Sequence, residues 1–244
     1  MKLSWVHIFP SFCLFIFSMG SSVFSQTFGL NTGMNISSLQ FYNEDDSGTY
    51  LDDYNAIISL NAGAYYDFKF SERLGMRLGL CYSAKGYRYK SEISSGYTID
   101  NNFYSQYSNI ESKGRLDYLQ FNPMFKYTLE IGGVNTFYAM VGPYISIGLS
   151  GRLTERQIYA YDSPNNTTNI DESYTEIIEF GAHEGGFDYL DFGLTPSIGF
   201  QVSKFFLEVS YDLGINNIGT ENYNDFKIYN RTIAIKSGYI FGVK

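Results

Sequence analysis

Cysteine, histidine, tryptophan, proline and charge are all in short supply in this chain. Two cysteines, two histidines, one tryptophan and five prolines occur in 244 residues, and only 17% of the residues are Asp, Glu, Lys or Arg. Cys13, His7 and Trp5 fall in the first 25 residues, which have the form of an export signal. Beyond them Cys81 has no partner for an internal disulfide, which excludes a disulfide-stapled secreted fold. No metal or cofactor motif is read. Past the N-terminus no apolar run approaches the ~20 residues of a spanning helix, so a helical membrane protein is excluded as well. Basic residues number 17 against 25 acidic ones, and the formal net charge of -8 argues against a nucleic-acid partner.

Tyrosine, phenylalanine and glycine are abundant, at 23, 21 and 24 residues, and they are sorted. From Leu190 to Val202 the apolar Leu190, Phe192, Leu194, Pro196, Ile198, Phe200 and Val202 alternate with Asp191, Gly193, Thr195, Ser197, Gly199 and Gln201. The same alternation runs from Phe137 to Ser150, and from Phe28 to Ser37 it sets Phe28, Leu30, Met34 and Ile36 against Gly29, Asn31, Gly33, Asn35 and Ser37. Period-two sorting is the mark of a strand. Soluble strands average about 5 to 6 residues, whereas a tilted strand crossing hydrocarbon needs roughly 9 to 11, so these lengths point to lipid as the apolar solvent. The polar face is small and glycine-rich, with little of the Lys and Glu of a water-facing surface, and suits a crowded, hydrated lumen.

The signal reading rests on Lys2, an apolar run ending near Met19, and the small residues Val23 and Ser25 ahead of Gln26. His7 and Pro10 interrupt the run, which is too short to span a membrane. The sequence thus divides into a signal peptide over 1–25 and a single outer-membrane β-barrel domain over 26–244.

Period-two segments predict eight strands, near 27–37, 57–70, 74–89, 116–130, 136–151, 188–202, 205–216 and 227–243. Connections alternate between long (38–56, 90–115, 152–187) and short (71–73, 131–135, 203–204), with a moderate loop at 217–226. Long extracellular loops, tight periplasmic turns and an even strand count predict an eight-stranded antiparallel up-and-down transmembrane β-barrel, closed because an open edge in lipid leaves backbone groups unpaired. Pro123, Pro143 and Pro196 fall inside strands at lipid-facing parity, where β-bulges are expected.

The segment Tyr118-Leu119-Gln120-Phe121-Asn122-Pro123-Met124-Phe125-Lys126-Tyr127, followed by Gly142-Pro143-Tyr144, resembles the PorT-like outer-membrane β-barrel family. The opening Gly29-Leu30-Asn31-Thr32-Gly33-Met34-Asn35 and the closing Gly238-Tyr239-Ile240-Phe241-Gly242 resemble that family's first and last strands. The resemblance covers the mature chain and implies an eight-stranded barrel in a Gram-negative outer membrane. It carries no catalytic signature, and the secretion and gliding role associated with PorT itself is not transferred by any motif.

Parity turns Arg77, Lys126 and Lys236 inward together with Asp67, Asp191, Glu208 and Asp212. In a lumen just wide enough for side chains to fill, opposite charges should pair, giving a plug in preference to a narrow pore. Cys81, on the face of Gly75, Gly79 and Ser83, reads as a small lumen residue. An enzyme acting on lipid A or other envelope lipids is the competing class, and the histidine available to it after the signal is His183, beside Glu184 and with no serine signature. The non-enzymatic reading is preferred. Between the strands, Tyr97, Phe103, Tyr104, Tyr107, Tyr159, Tyr161 and Tyr174 form a candidate binding set for an envelope protein or glycan partner, or alternatively an upper aromatic girdle.

Acid gathers in two segments, Glu44, Asp45, Asp46, Asp52 and Asp53 in one and Asp171, Glu172, Glu176, Glu179 and Glu184 in the other. Divalent cations would suit it, though solvated acidic loops are the plainer reading. Ile233, Ile235, Tyr239, Phe241 and Val243 give the last strand a lipid-facing, aromatic-bearing edge that resembles the signal read by barrel assembly machinery. The expected surroundings are outer-membrane lipid and lipopolysaccharide.

Overall fold

A computed structural model describes residues 25–43, 54–99, 102–133, 135–163, 166–181, 186–220 and 226–242. The N-terminal signal expectation, the acidic residues Glu44 to Asp53, His183, Glu184 and Val243 lie outside these described residues.

Among the described residues ten strands form one antiparallel sheet: β1 (Ser25–Asn43), β2 (Tyr54–Asn55), β3 (Ile57–Lys69), β4 (Leu74–Ile99), β5 (Asn102–Ile131), β6 (Asn135–Ser163), β7 (Asn166–Ile178), β8 (Leu190–Val202), β9 (Phe205–Gly214) and β10 (Phe226–Phe241). Eight of them close a ring in the order β1-β3-β4-β5-β6-β8-β9-β10, sealed where β1 pairs β10 from Phe28↔Phe241 to Asn43↔Phe226. Closure satisfies the backbone that lipid cannot. β2 adds a short pairing along β4, and β7 pairs the upper part of β6 after β8 has paired its lower part.

The alternation read from the sequence is the alternation of burial. Along β8 every apolar residue from Leu190 to Phe200 is exposed and every small or polar one between them is buried. Aromatic contacts cluster where β1, β10 and β9 meet the short-turn end, with Phe28 stacked on Phe241 at 5.8 Å and Tyr239 edge-on to Phe205 and Phe241 at 5.2 and 4.9 Å.

Two expectations change. The connections at 90–115 and 152–187 are largely strand, because β4–β5 pair out to Ile99↔Asn102 and β6–β7 out to Ser163↔Asn166. Nor do the prolines make bulges. Pairing lapses around Pro123 and Pro143 between β5 and β6, and around Pro196 between β8 and β9, yet the register is the same on either side. A missing N–H deletes a rung without adding a residue, whereas a bulge needs the extra residue. That residue is Leu149: Asp117 pairs Ser150 and Tyr118 pairs Gly148, so β6 shifts register there and odd positions beyond it turn inward.

Candidate functional site

Asp67, Arg77, Lys126, Asp191, Glu208, Asp212 and Lys236 turn into the barrel interior, where they pair with one another or with Lys85. Asp67 and Arg77 lie directly opposite on β3 and β4, and Glu208 and Lys236 on β9 and β10. The Arg77 guanidinium donates through Nε and Nη2 to both Asp67 oxygens at 2.7 and 2.9 Å, then reaches across the barrel to Glu208 at 2.8 Å. Lys126 Nζ donates to Asp67 at 2.7 Å, and Lys236 Nζ lies 3.5 Å from Glu208. Two-pronged pairing of this kind holds a guanidinium in place as well as neutralising it.

Glycines make room for the rings around Arg77. A Cβ on Gly29 would stand 2.2 Å from the Tyr65 ring, and one on Gly199 would stand 2.2 Å from that of Tyr138. Each tyrosine therefore lies flat over a neighbouring strand. The guanidinium sits 3.7 Å from the Tyr65 ring centroid and 5.3 Å from that of Tyr138, whose hydroxyl donates to Glu208.

A second cluster occupies the upper lumen, around a cation that the sequence reading left out. Lys85, with no exposed surface, donates to Asp191 at 3.0 Å and stands 3.5 Å from Asp212. It follows Cys81 and Ser83 on the same inward face of β4, so extending that parity by two residues finds it. Asp191 also accepts from Tyr144 Oη and Asn230 Nδ2, both at 2.9 Å, and Asp212 accepts from Gln120 Nε2 at 2.9 Å and Thr195 Oγ1 at 2.8 Å. Counting Lys85, four cations face four carboxylates in the lumen among the described residues.

Both ends of this interior are defined. Above the upper cluster Leu39, Phe41, Leu116, Tyr118, Phe180, Phe187, Ile218 and Ile228 pack into a buried apolar cap, with Phe180 seated against Gly148. At the short-turn end a cavity of about 460 Å3 is bounded by turn residues including Arg73 and Lys204 and ends on Asp67 and Lys126. Beside Arg77 and Cys81 the remaining space is about 30 Å3. Cys81 is buried and forms no disulfide.

Above the cap the extended hairpins form a four-stranded sheet. Register places Tyr97, Tyr104, Tyr159, Tyr161 and Tyr174 on the face continuous with the lumen. Tyr97 and Tyr104 stack at 5.3 Å. Tyr107 lies an odd number of residues from Tyr104 and belongs to the opposite face, so the candidate loop set is divided; the side chain of Phe103 lies outside the described residues. The Tyr174 hydroxyl is pushed up to about 12 by a hydrogen bond to Glu155. On the outward face Arg156 forms a two-pronged pair with exposed Asp171 at 2.9 and 2.6 Å and holds that carboxyl below the usual range. Asp171, Glu172, Glu176 and Glu179 are exposed. No group of three His, Cys, Asp or Glu placed to hold a metal occurs among the described residues.

Residues 24–219 match the family model described as outer membrane protein beta-barrel domain. No curated protein matches the chain. Solved structures similar to it include Ail, the attachment invasion locus protein of Yersinia pestis, at 14% identity over 89% of this chain and 99% of that one, with a TM-score of 0.35. OprG of Pseudomonas aeruginosa is similar at 13% identity over 90% and 97%, with a TM-score of 0.41. The outer membrane protease OmpT of Escherichia coli is similar at 7% identity over 88% and 96%, with a TM-score of 0.31.

Proposed function

The chain belongs to the outer membrane protein beta-barrel domain family, and from that premise we propose that it is a closed, non-enzymatic barrel of the PorT-like type that takes a protein or glycan partner above the membrane. One observation carries this reading: five tyrosines share one face of the hairpin sheet, over a lumen filled with paired charges and capped by apolar side chains. Tyrosine offers amphipathic area at low entropic cost, which suits recognition of sugars and peptides alike. The short turns face the periplasm and the hairpins the exterior, following the general asymmetry of such barrels. Export through a cleaved signal over 1–25, insertion guided by the last strand and residence among lipopolysaccharide belong to the same proposal.

The test uses photo-crosslinking residues placed singly at Tyr159, Tyr174 and Tyr107 in intact envelopes. Adducts from Tyr159 and Tyr174 but not from Tyr107 are expected; equal yields from both faces, or none from either, would refute recognition by this face. Planar-bilayer recording of the purified protein should find no large steady conductance, and its presence would restore the narrow-pore reading.

A further inference from the structure

The outward surface changes character within a few residues above the lipid-facing belt. Leu119 and Ile147, paired across β5 and β6, are exposed aliphatic residues. The next outward positions are Asp117 on β5 and the exposed bulge residue Leu149 with Ser150 on β6, then the directly opposed Arg115 and Arg152, then Lys113, which pairs Arg88 on β4. All four cations are exposed. Two carboxylates contact them: Asp117 accepts from Arg115 Nε at 2.8 Å, as well as from Tyr82 Oη and Ser150 Oγ, and Glu111 lies 3.4 Å from Arg88. Lys113 and Arg152 have no ion-pair partner among the described residues. Beside Arg152, on β7, stands Ile177, an outward aliphatic side chain that is 80% exposed.

Along strands tilted by ~40°, Arg115 and Lys113 stand roughly 10 to 15 Å above Leu119, in the layer a membrane gives to its headgroups. We propose that this patch binds the phosphorylated headgroup of an outer-leaflet glycolipid, with Lys113 and Arg152 donating to phosphate oxygens and Ile177 lying against the lipid. A soluble anion would not need the cations at this height, on the lipid-facing side and flanked by aliphatic side chains; a lipid phosphate does. Arginine and lysine are the side chains that phosphate selects. The inference rests on the hairpins facing the exterior, which protease shaving of intact cells tests separately.

The binding experiment uses the purified full chain in detergent micelles, with doubly phosphorylated lipid A as the probe and native mass spectrometry as the readout. Retention of lipid A is expected to exceed that of the same lipid stripped of phosphate, and the Lys113→Gln/Arg152→Gln variant should retain roughly tenfold less while keeping the wild-type heat-modifiable gel mobility. Arg73→Gln, at the other end of the barrel, should retain as much as wild type. Equal retention by the double variant, equal retention of the dephosphorylated lipid, or displacement by inorganic phosphate at comparable concentration would each overturn the assignment.

Discussion

The lower and upper halves of the lumen solve the same problem with different margins. In the lower half Arg77, Lys126 and Lys236 serve two carboxylates, Asp67 and Glu208, next to a cavity that opens at the short-turn end. In the upper half Lys85 alone serves Asp191 and Asp212 beneath the apolar cap, with neutral donors filling the remaining positions. Charge balances only when the halves are summed. Removing a charge therefore tests how many neighbours can replace it, because the cost of a broken buried pair is mainly the cost of the partner left uncompensated.

Lys85→Met should have the largest effect. It strands two carboxylates with no other cation in contact, at an expected cost of about 3–5 kcal/mol, read as a lower urea midpoint in detergent. Arg77→Met should cost less, about 1–3 kcal/mol, since Lys126 and Lys236 remain beside Asp67 and Glu208. Equal midpoints for the two variants would break the comparison. Gly199→Ala sharpens it from the packing side: the new methyl displaces the Tyr138 ring and loosens the stack on Arg77, at about 1–2 kcal/mol.

The smallest effect belongs to the hairpins, where Arg156 and Asp171 are both more than half exposed. Arg156→Ala should leave the urea midpoint unmoved. Because Arg156 depresses the Asp171 carboxyl, the contribution of the pair is complete above the ordinary Asp value near ~4 and disappears as pH falls through the lowered value. The protection factor of the β6–β7 hairpin, that is, hydrogen exchange corrected for the intrinsic pH dependence of amide exchange, should accordingly fall slightly on acidification in the wild type, and this acid step should vanish in Arg156→Ala.

Where hydrophobic alternation is strong, the strand and its facing are legible in the sequence, as along Leu190–Val202 and Phe137–Leu149. Inward parity also names seven lumen charges; Lys85 lies within the 74–89 strand at the same parity as Cys81 and Ser83 and is absent from that set. The hairpin extensions escaped because runs such as Ser91-Glu92 and Ser94-Ser95 are polar on both faces; without an apolar face there is no period to detect, and pairing with the neighbouring strand decides. Leu149 was invisible for a related reason. A bulge is a mismatch between two strands, and either strand read alone continues its alternation through it.

By itself the sequence determined which solvent meets each side of the backbone, since that is a property of successive side chains along one strand. Only the tertiary structure decided who meets whom across the lumen. Arg77 and Glu208 are 131 residues apart and touch because eight strands close at a diameter two side chains can span, and the same closure put Lys85 between Asp191 and Asp212.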